Sequence, residues 1–370
     1  MIPFNKPYFT GNEVKYIEDA VNRGHISGNG FYTKKCQEFF ENRYGFDKAL
    51  LTTSCTDALE MCALLLDIKP GDEIIVPSFT FVSTALAFVR QGAKIVFADS
   101  CDSLPNIDPD KIEELISPKT KAIVVVHYAG LVHRIDDIQN IALKHNIFLI
   151  EDAAQAIDVK YKGQYAGSFG HLSTFSFHET KNISAGEGGM LVINDDRFTR
   201  RAQIIWEKGT NRIEFFNGAV DKYSWVDTGS SFLPSEIISA TLWAQLEHIE
   251  DIIQRRVSLW KKYKNELINW VNSNEIQMMS VPENSSNNGH MFYIICRNKE
   301  HRNDIIAQLK SLGIMTVFHY QSLHQSPFYK SKHDGRELPN SDRFSECLLR
   351  MPLFYELDFN SIIKLIQIEK

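Results

Sequence analysis

The residue whose surroundings least resemble ordinary surface is Lys181, within Ser173-Thr-Phe-Ser-Phe-His-Glu-Thr-Lys181-Asn-Ile-Ser-Ala-Gly-Glu-Gly-Gly-Met190. Ser173 to Phe177 alternates polar and apolar residues, which predicts a short strand. Gly186, Gly188 and Gly189 allow a turn where side chains would clash, and Met190 to Ile193 reads as a second strand. Lys181 is thus expected on a loop between two strands. A loop lysine is ordinarily a solvated charge. One held among Phe175, Phe177 and a glycine turn is partly withdrawn from water, which disfavours the ammonium and frees the amine. A free amine is what a Schiff base with an aldehyde cofactor requires.

A second stretch suits the same chemistry. Phe148-Leu-Ile-Glu151-Asp152-Ala-Ala-Gln155 is an apolar run ending in two carboxylates and small residues. It reads as a buried strand delivering Asp152 to its carboxyl end. Pyridoxal phosphate needs an acidic partner for its pyridinium nitrogen. Taken alone, Asp152 is more readily read as a helix N-cap. A strand-borne Asp followed about thirty residues later by Ser-x-x-x-x-Lys is a narrower pattern.

The elements around these residues predict how they are positioned. Gly11–Arg23 and Thr33–Tyr44 have helical spacing, separated by the glycine loop 24–30. Thr53-Ser54-Cys55-Thr56-Asp57 opens an apolar helix. Small hydroxylated residues there serve as caps, and the same helix end can bind phosphate. Short strands are expected at 49–52, 73–76, 94–98, 122–126 and 148–150. Between them fall helices at 83–90, 109–116 and 135–145. This alternation means an α/β fold with a mostly parallel sheet covered on both faces. Ligands in such sheets gather beyond the strands' carboxyl ends, where Ser54, Phe81, His127 and Asp152 all fall. Phe81 is expected to be buried. Residues 236–270 carry one long helical pattern, a bridge to a small α/β unit with strands at 291–296 and 314–318 and a helix at 303–312.

Composition bounds the alternatives. A 44% hydrophobic content supports a sizeable core. The net charge of −6 argues against nucleic acid as the main partner. Six scattered cysteines with no CxxC pair suggest reduced thiols, with no zinc site or disulfide framework. No signal-like start and no apolar run long enough to span a bilayer are seen, so a cytoplasmic protein without membrane attachment is expected. A nicotinamide oxidoreductase would suit an α/β sheet, but no G-x-G-x-x-G opens a helix after the first strand.

Five segments, in order, resemble the DegT/DnrJ/StrS family of sugar aminotransferases: Thr53-Ser-Cys-Thr-Asp-Ala-Leu59, Pro70-Gly-Asp-Glu-Ile-Ile-Val-Pro77, Glu151-Asp-Ala-Ala-Gln155, Phe175-Ser-Phe-His-Glu-Thr-Lys181 and Glu187-Gly-Gly189. The resemblance runs from Pro3 to near the C-terminus. It implies the aspartate-aminotransferase-like fold, type I of the pyridoxal phosphate enzymes. A large domain with an N-terminal arm (1–240) and a sheet of the seven-stranded type would precede a bridging helix and small C-terminal domain (241–370). It implies pyridoxal 5'-phosphate held by Lys181, Asp152, Gln155 at the ring hydroxyl, Phe81 stacked on the ring, and Ser54, Cys55 and Ser176 at the phosphate. It implies a nucleotide-sugar substrate with L-glutamate as amino donor, and a homodimer with shared sites.

Longer matches at Ile2-Pro-Phe-Asn5, His127-Tyr-Ala-Gly130, Glu207-Lys-Gly-Thr-Asn-Arg212 and Val220-Asp-Lys-Tyr-Ser-Trp225 are shared with members acting on dTDP-4-keto-6-deoxy-D-glucose to give dTDP-4-amino-4,6-dideoxy-D-galactose for surface polysaccharide. They imply sugar contacts at His127, Tyr128, Lys208, Asn211, Arg212 and Tyr223, and the family resemblance as a whole adds His319 and Tyr320. A 3-keto or gluco-configured sugar, and a non-catalytic pyridoxal phosphate-binding regulator, are the alternatives. A sugar dehydratase of the family would carry histidine in place of Lys181. Two departures stand out. Leu233 occupies the place of an Asn that reaches the partner's cofactor phosphate, leaving Ser230 or Ser231 to substitute. Ser322 replaces a customary proline.

Overall fold

The computed structural model describes residues 1–367; residues 368–370, the end of the expected C-terminal domain, lie outside the described residues. Helices α1 (Glu13–Asn22) and α2 (Phe31–Tyr44) precede β1 (Lys48–Thr52), α3 (Cys55–Leu65), β2 (Glu73–Pro77), α4 (Ser83–Val89), β3 (Lys94–Ala98), β4 (Thr120–Val126), α5 (Ile135–His145) and β5 (Phe148–Asp152). The small hairpin β6 (Lys160–Tyr161) and β7 (Gln164–Tyr165) leads to β8 (Leu172–Ser176) and β9 (Gly189–Ile193). Five helices follow: α6 (Thr199–Trp206), α7 (Arg212–Phe216), α8 (Glu236–Leu246), α9 (Ile249–Glu266) and α10 (Ile268–Ser273). The C-terminal part comprises β10 (Gln277–Met278), β11 (Phe292–Ile295), α11 (Lys299–Ser311), α12 (Pro339–Cys347), β12 (Leu348–Met351) and α13 (Phe359–Gln367).

Seven strands form one sheet in the order β1-β9-β8-β5-β4-β2-β3, and β10-β11-β12 form a second. In the large sheet β8, β5, β4, β2 and β3 run parallel, while β9 is antiparallel to both neighbours. Strand alternation divides its side chains between two cores. Ile123, Val125 and Leu149 face α2, α5 and α9, whereas Ala122, Val124 and Ile150 face α3, α4 and α6. A third core joins α9 to the small sheet and takes in Phe79 and Tyr128 from loops of the large sheet.

Several expectations need correction. The 236–270 pattern is three helices rather than one, interrupted at Glu247–His248 and at Leu267. The 109–116 segment makes only two 3-10 turns, because a stretch bounded by Pro109 and Pro118 is too short to repay helix nucleation. Ile314–Phe318 is no strand: Ile314 makes an isolated bridge to Ile2 and Val317 to Arg350, and β12 completes the small sheet. Of Val14, Ile17, Ala20 and Val21, whose spacing predicts the inward face of α1, only Ala20 is fully buried, while Val14 and Val21 face outward. No helix among the described residues is long and apolar enough to cross a membrane.

The end of β5 is pinned by Glu151, which is fully buried. Its carboxylate accepts hydrogen bonds from His127 Nε2 (2.7 Å), the Gly167, Phe169 and Gly170 amides (2.8, 2.7 and 2.6 Å) and Ser173 Oγ (3.1 Å). Burial alone would raise its pKa, but these donors outweigh burial and hold it below the ordinary carboxylate value. A depressed carboxylate contributes stability above its unfolded pKa and loses it as pH falls through the folded one. Glu151→Gln should therefore cost about 3 kcal/mol at pH 7, read by urea denaturation. The difference from wild type should shrink as the pH is taken below the ordinary carboxylate range.

Candidate active site

At the carboxyl ends of the parallel strands lies a cleft of about 420 Å³. It is reached by β1 through Ser54 and Cys55, by β2 through Thr80 and Phe81, by β5 through Asp152, and by β8 through Ser176. The reversed strand β9 begins at this end. Gly189 makes the assembly possible: a Cβ there would lie 2.3 Å from the Ser54 carbonyl carbon and 2.4 Å from the Cys55 nitrogen. Lys181 enters from the loop between β8 and β9, whose turns are held by Lys181 N–H to His178 O (2.9 Å) and Ala185 N–H to Phe177 O (2.8 Å).

The ionisable groups of the cleft are displaced from their ordinary behaviour. Burial lowers the Lys181 pKa, and the positive charge of Arg350 pushes the same way against Cys55 and Asp152. Burial raises Asp152, opposed by the Thr84 hydroxyl (2.7 Å) and the Ala154 amide (3.2 Å). Burial likewise raises the Cys55 thiol, whose Sγ contacts Thr174 Oγ1 at 3.5 Å. Gln155 spends its carbonyl on the Ala129 amide (2.7 Å) and donates from Nε2 to Tyr320 (3.2 Å).

The expected site residues separate into three groups. Lys181, Asp152, Gln155, Ser54, Cys55, Phe81, Ser176, His319 and Tyr320 line the one cleft. Phe81 is 53% exposed rather than buried, since its ring forms the open wall, tilted against Tyr320. His127 and Tyr128 lie behind the cleft. His127 serves Glu151, and Tyr128 is fully buried with its hydroxyl on the His319 carbonyl (2.9 Å). Direct contact with a bound sugar does not suit either position. Lys208, Asn211, Arg212, Tyr223 and Ser231 do not line their own chain's cleft. Arg212 pairs with Glu207 at 3.1 Å, and Asn211 Oδ1 accepts from the Ser224 amide at 2.7 Å. Gly209 anchors this region, since a Cβ there would lie 1.9 Å from the Asp227 carbonyl oxygen.

Sequence reasoning missed Thr84, His290 and Arg350. Thr80, in the turn before α4, and Thr84, in its first turn, form a hydroxyl relay (2.9 Å) onto Asp152, and their spacing of four was the available signal. His290 donates from Nδ1 to Asn182 Oδ1 (2.9 Å) and is held well below the ordinary histidine value by burial and by Lys181. Arg350 interrupts an apolar run, Leu348-Leu-Arg-Met-Pro-Leu-Phe354.

These residues fit pyridoxal phosphate. Asp152 is a buried carboxylate with no ion-pair partner among the described residues, as a protonated ring nitrogen would require. The first turn of α3 presents the Cys55 and Thr56 amides without backbone acceptors, while Ser54 Oγ caps Asp57 N–H at 3.0 Å. Lys181 Nζ has no hydrogen-bond or ion-pair partner among the described residues.

Comparison with known proteins adds an independent line. Residues 7–368 match the DegT/DnrJ/EryC1/StrS aminotransferase family. GDP-perosamine synthase of Escherichia coli O157:H7 is 31% identical, over 98% of this chain and 96% of its own. DesV of S. venezuelae, solved in complex with a ketimine intermediate, superposes with a TM-score of 0.90 at 27% identity, covering 99% of this chain and 96% of its own. The PLP form of Spr1654 from Streptococcus pneumoniae gives 0.90 at 26% identity, covering 99% and 97%.

A lowered lysine pKa means a larger share of free amine at a given pH. In cofactor-free protein at pH 8, Lys181 should carbamylate with cyanate several-fold faster than exposed Lys15, measured by peptide mass spectrometry. Equal rates would contradict the electrostatics of the cleft.

Proposed function

The chain belongs to the DegT/DnrJ/EryC1/StrS aminotransferase family of pyridoxal phosphate-dependent transaminases with the type I fold, and we propose that it aminates the keto carbon of a nucleotide-linked deoxysugar. The observation that carries this reading is the convergence of Lys181 and Asp152 in one cleft at the strand ends. When bound, the cofactor supplies a carbonyl for covalent attachment and a ring that withdraws electrons. Lys181 would offer its free amine for that attachment and would afterwards carry the proton at Nζ. Asp152, oriented by Thr84, would hold the proton on the ring nitrogen. Gln155 would have an Nε2 hydrogen left for the ring hydroxyl. The first turn of α3, with Ser54 and Ser176, would hold the phosphate, and Phe81 would offer an aromatic face to the ring.

The substrate we favour is dTDP-4-keto-6-deoxy-D-glucose, aminated to the 4-amino-4,6-dideoxy-D-galacto product with L-glutamate as donor. The longer sequence matches around His127-Tyr-Ala-Gly130 and Glu207–Arg212 support it. A GDP-linked sugar is the second reading, favoured by the similarity to GDP-perosamine synthase. Incubation with L-glutamate and each nucleotide sugar, followed by NMR of the product, decides between them. A product amine at C3, or at C4 with gluco configuration, would overturn the substrate and leave the chemistry intact.

We also propose a homodimer with shared sites. Phe216, Tyr223 and Trp225 are 67%, 53% and 83% exposed, and Phe215 packs against the first two, in the same stretch of chain as Lys208, Asn211 and Arg212. Packed against a second copy, this region would bring those residues to the partner's cleft. Activity per chain should fall on dilution as the dimer dissociates, followed with sedimentation. A fully active monomer would refute shared sites.

Borohydride treatment of the protein loaded with pyridoxal phosphate should fix the cofactor to Lys181, located by peptide mapping. Label on another lysine would contradict the assignment. Lys181→Ala should lower turnover by about 10²–10⁴-fold or more. Asp152→Asn should keep cofactor yet lose most activity, because an amide cannot balance the charge of a protonated ring nitrogen.

A further inference from the structure

Lys181 sits on a loop that its own strands hold mainly at the base. Between the ends of β8 and β9 the chain closes on itself through Phe177 N–H to Gly188 O (2.8 Å), Ala185 N–H to Phe177 O (2.8 Å) and Glu179 N–H to Gly186 O (2.9 Å). Gly186, at a φ of 80°, lets the chain fold back and leaves it freedom to move. Two side-chain links from elsewhere flank the lysine. After it, Asn182 Nδ2 donates to Asn288 O (2.9 Å) and Asn182 Oδ1 accepts from His290 Nδ1 (2.9 Å). Before it, Asn5 Nδ2 donates to Glu179 O (3.2 Å). Among the described residues, no other hydrogen bond reaches residues 177–188 from outside β8, β9 and the loop itself.

Asn5 is delivered by an arm tied down at both ends. Ile2 N–H donates to Gly313 O (2.7 Å), and Met315 N–H donates to Ile2 O (3.0 Å). Tyr8 stacks on Tyr355 with ring centroids 3.8 Å apart, and its carbonyl accepts from Gln245 Nε2 (2.9 Å) on α8. Lys6 pairs with Glu356. Residues 3–7 between these anchors form no helix or strand, Pro3 and Pro7 restrict their backbone, and the Phe4 ring lines the cleft. The arm is thus a strap along the cleft, running from the segment after α11 to α8, with Asn5 at its middle.

One half-buried hydrogen bond contributes little to global stability. Its weight here is local. A glycine-rich loop can sample several arrangements, and a reacting group displaced by an ångström loses much of its rate. With Glu179 held on one side and Asn182 on the other, the short stretch that bears Lys181 has little room to shift. We propose that Asn5 is a positioning residue for Lys181: the N-terminal strap fixes the Glu179 carbonyl, and through it the lysine. This rests on the aminotransferase reading, in which Lys181 carries the proton.

Asn5→Ala removes the donor, Asn5→Asp sets an acceptor against the Glu179 carbonyl, and Asn5→Gln keeps a donor on a longer side chain. Lys6→Ala, next to it on the arm, breaks an exposed ion pair of little weight and is the control. In cofactor-free protein, amide hydrogen exchange of the 177–188 peptide, by mass spectrometry, should quicken about three- to tenfold in Asn5→Ala and Asn5→Asp. Peptides of β5 and the urea midpoint should not change. In protein loaded with pyridoxal phosphate, kcat should fall at least about tenfold in both variants, with KM for the keto sugar within about twofold of wild type. Asn5→Gln should recover part of each loss, and Lys6→Ala should stay within about twofold throughout. Loop exchange unchanged in both Asn5 variants would overturn the strap. A loosened loop with kcat unchanged, or a raised KM with kcat unchanged, would overturn its action on Lys181, and equal losses in Lys6→Ala would overturn the assignment to Asn5. Failure of wild type to aminate any keto sugar would overturn the aminotransferase reading, a result separate from the exchange measurement.

Discussion

The site depends on keeping a carboxylate and an amine in the same dry cleft without letting them pair. Asp152 and Lys181 influence each other's titration, yet no ion pair joins them. Had they paired, each would have been neutralised by the other, leaving neither a free amine nor an anion to offer a ligand. Separation is enforced by the backbone. Asp152 is rigid because β5 lies between β4 and β8 and because Thr84 holds one of its oxygens. Lys181 arrives from the loop beyond β8, whose return strand fits only because Gly189 has no side chain to strike the Ser54–Cys55 turn.

Behind this pair the chain uses buried polar groups as fasteners. Glu151 faces away from Asp152 by strand alternation and gathers three amides, a hydroxyl and His127. Arg256, 3% exposed, donates to the carbonyls of Gly289, His290 and Leu353 and so ties α9 to both flanks of β11 and β12. His290, Asn182 and Asn288 continue that link to the carbonyls of Gln155 and Ile157. Ser78 Oγ and His324 Nδ1, 2.7 Å apart and both buried, connect the end of β2 to the C-terminal part. Such groups are costly to bury singly and favourable when fully partnered. They hold the two sheets in one relation around the cleft.

Much of this was legible because period and punctuation coincide in the large sheet. Short apolar runs such as Ala122–Val126, bounded by Lys121 and His127, leave little choice but buried parallel strands, and α5 follows its pattern from Ile135 to His145. The small sheet was harder. Ile314–Phe318 has strand composition, yet Ile314 bridges the N-terminal Ile2, a long-range pairing that no local pattern encodes. The same difficulty hid Arg350, because a charge in an apolar run argues against a strand until something is known to need it. Phe81 was misjudged because an aromatic residue is normally buried by its own chain, whereas this one forms an open wall. His127 and Tyr128 stand at a strand end, and only packing shows that Glu151 and the third core have claimed them.

The central claim is that Lys181 moves the proton, and hydrogen exchange reads that directly. Pyridoxal phosphate-loaded protein in D2O with L-glutamate alone should replace the glutamate α-proton by deuterium, followed by proton NMR. The account predicts exchange in wild type and none above background in Lys181→Ala that still binds the cofactor. Exchange at the wild-type rate in Lys181→Ala would contradict it.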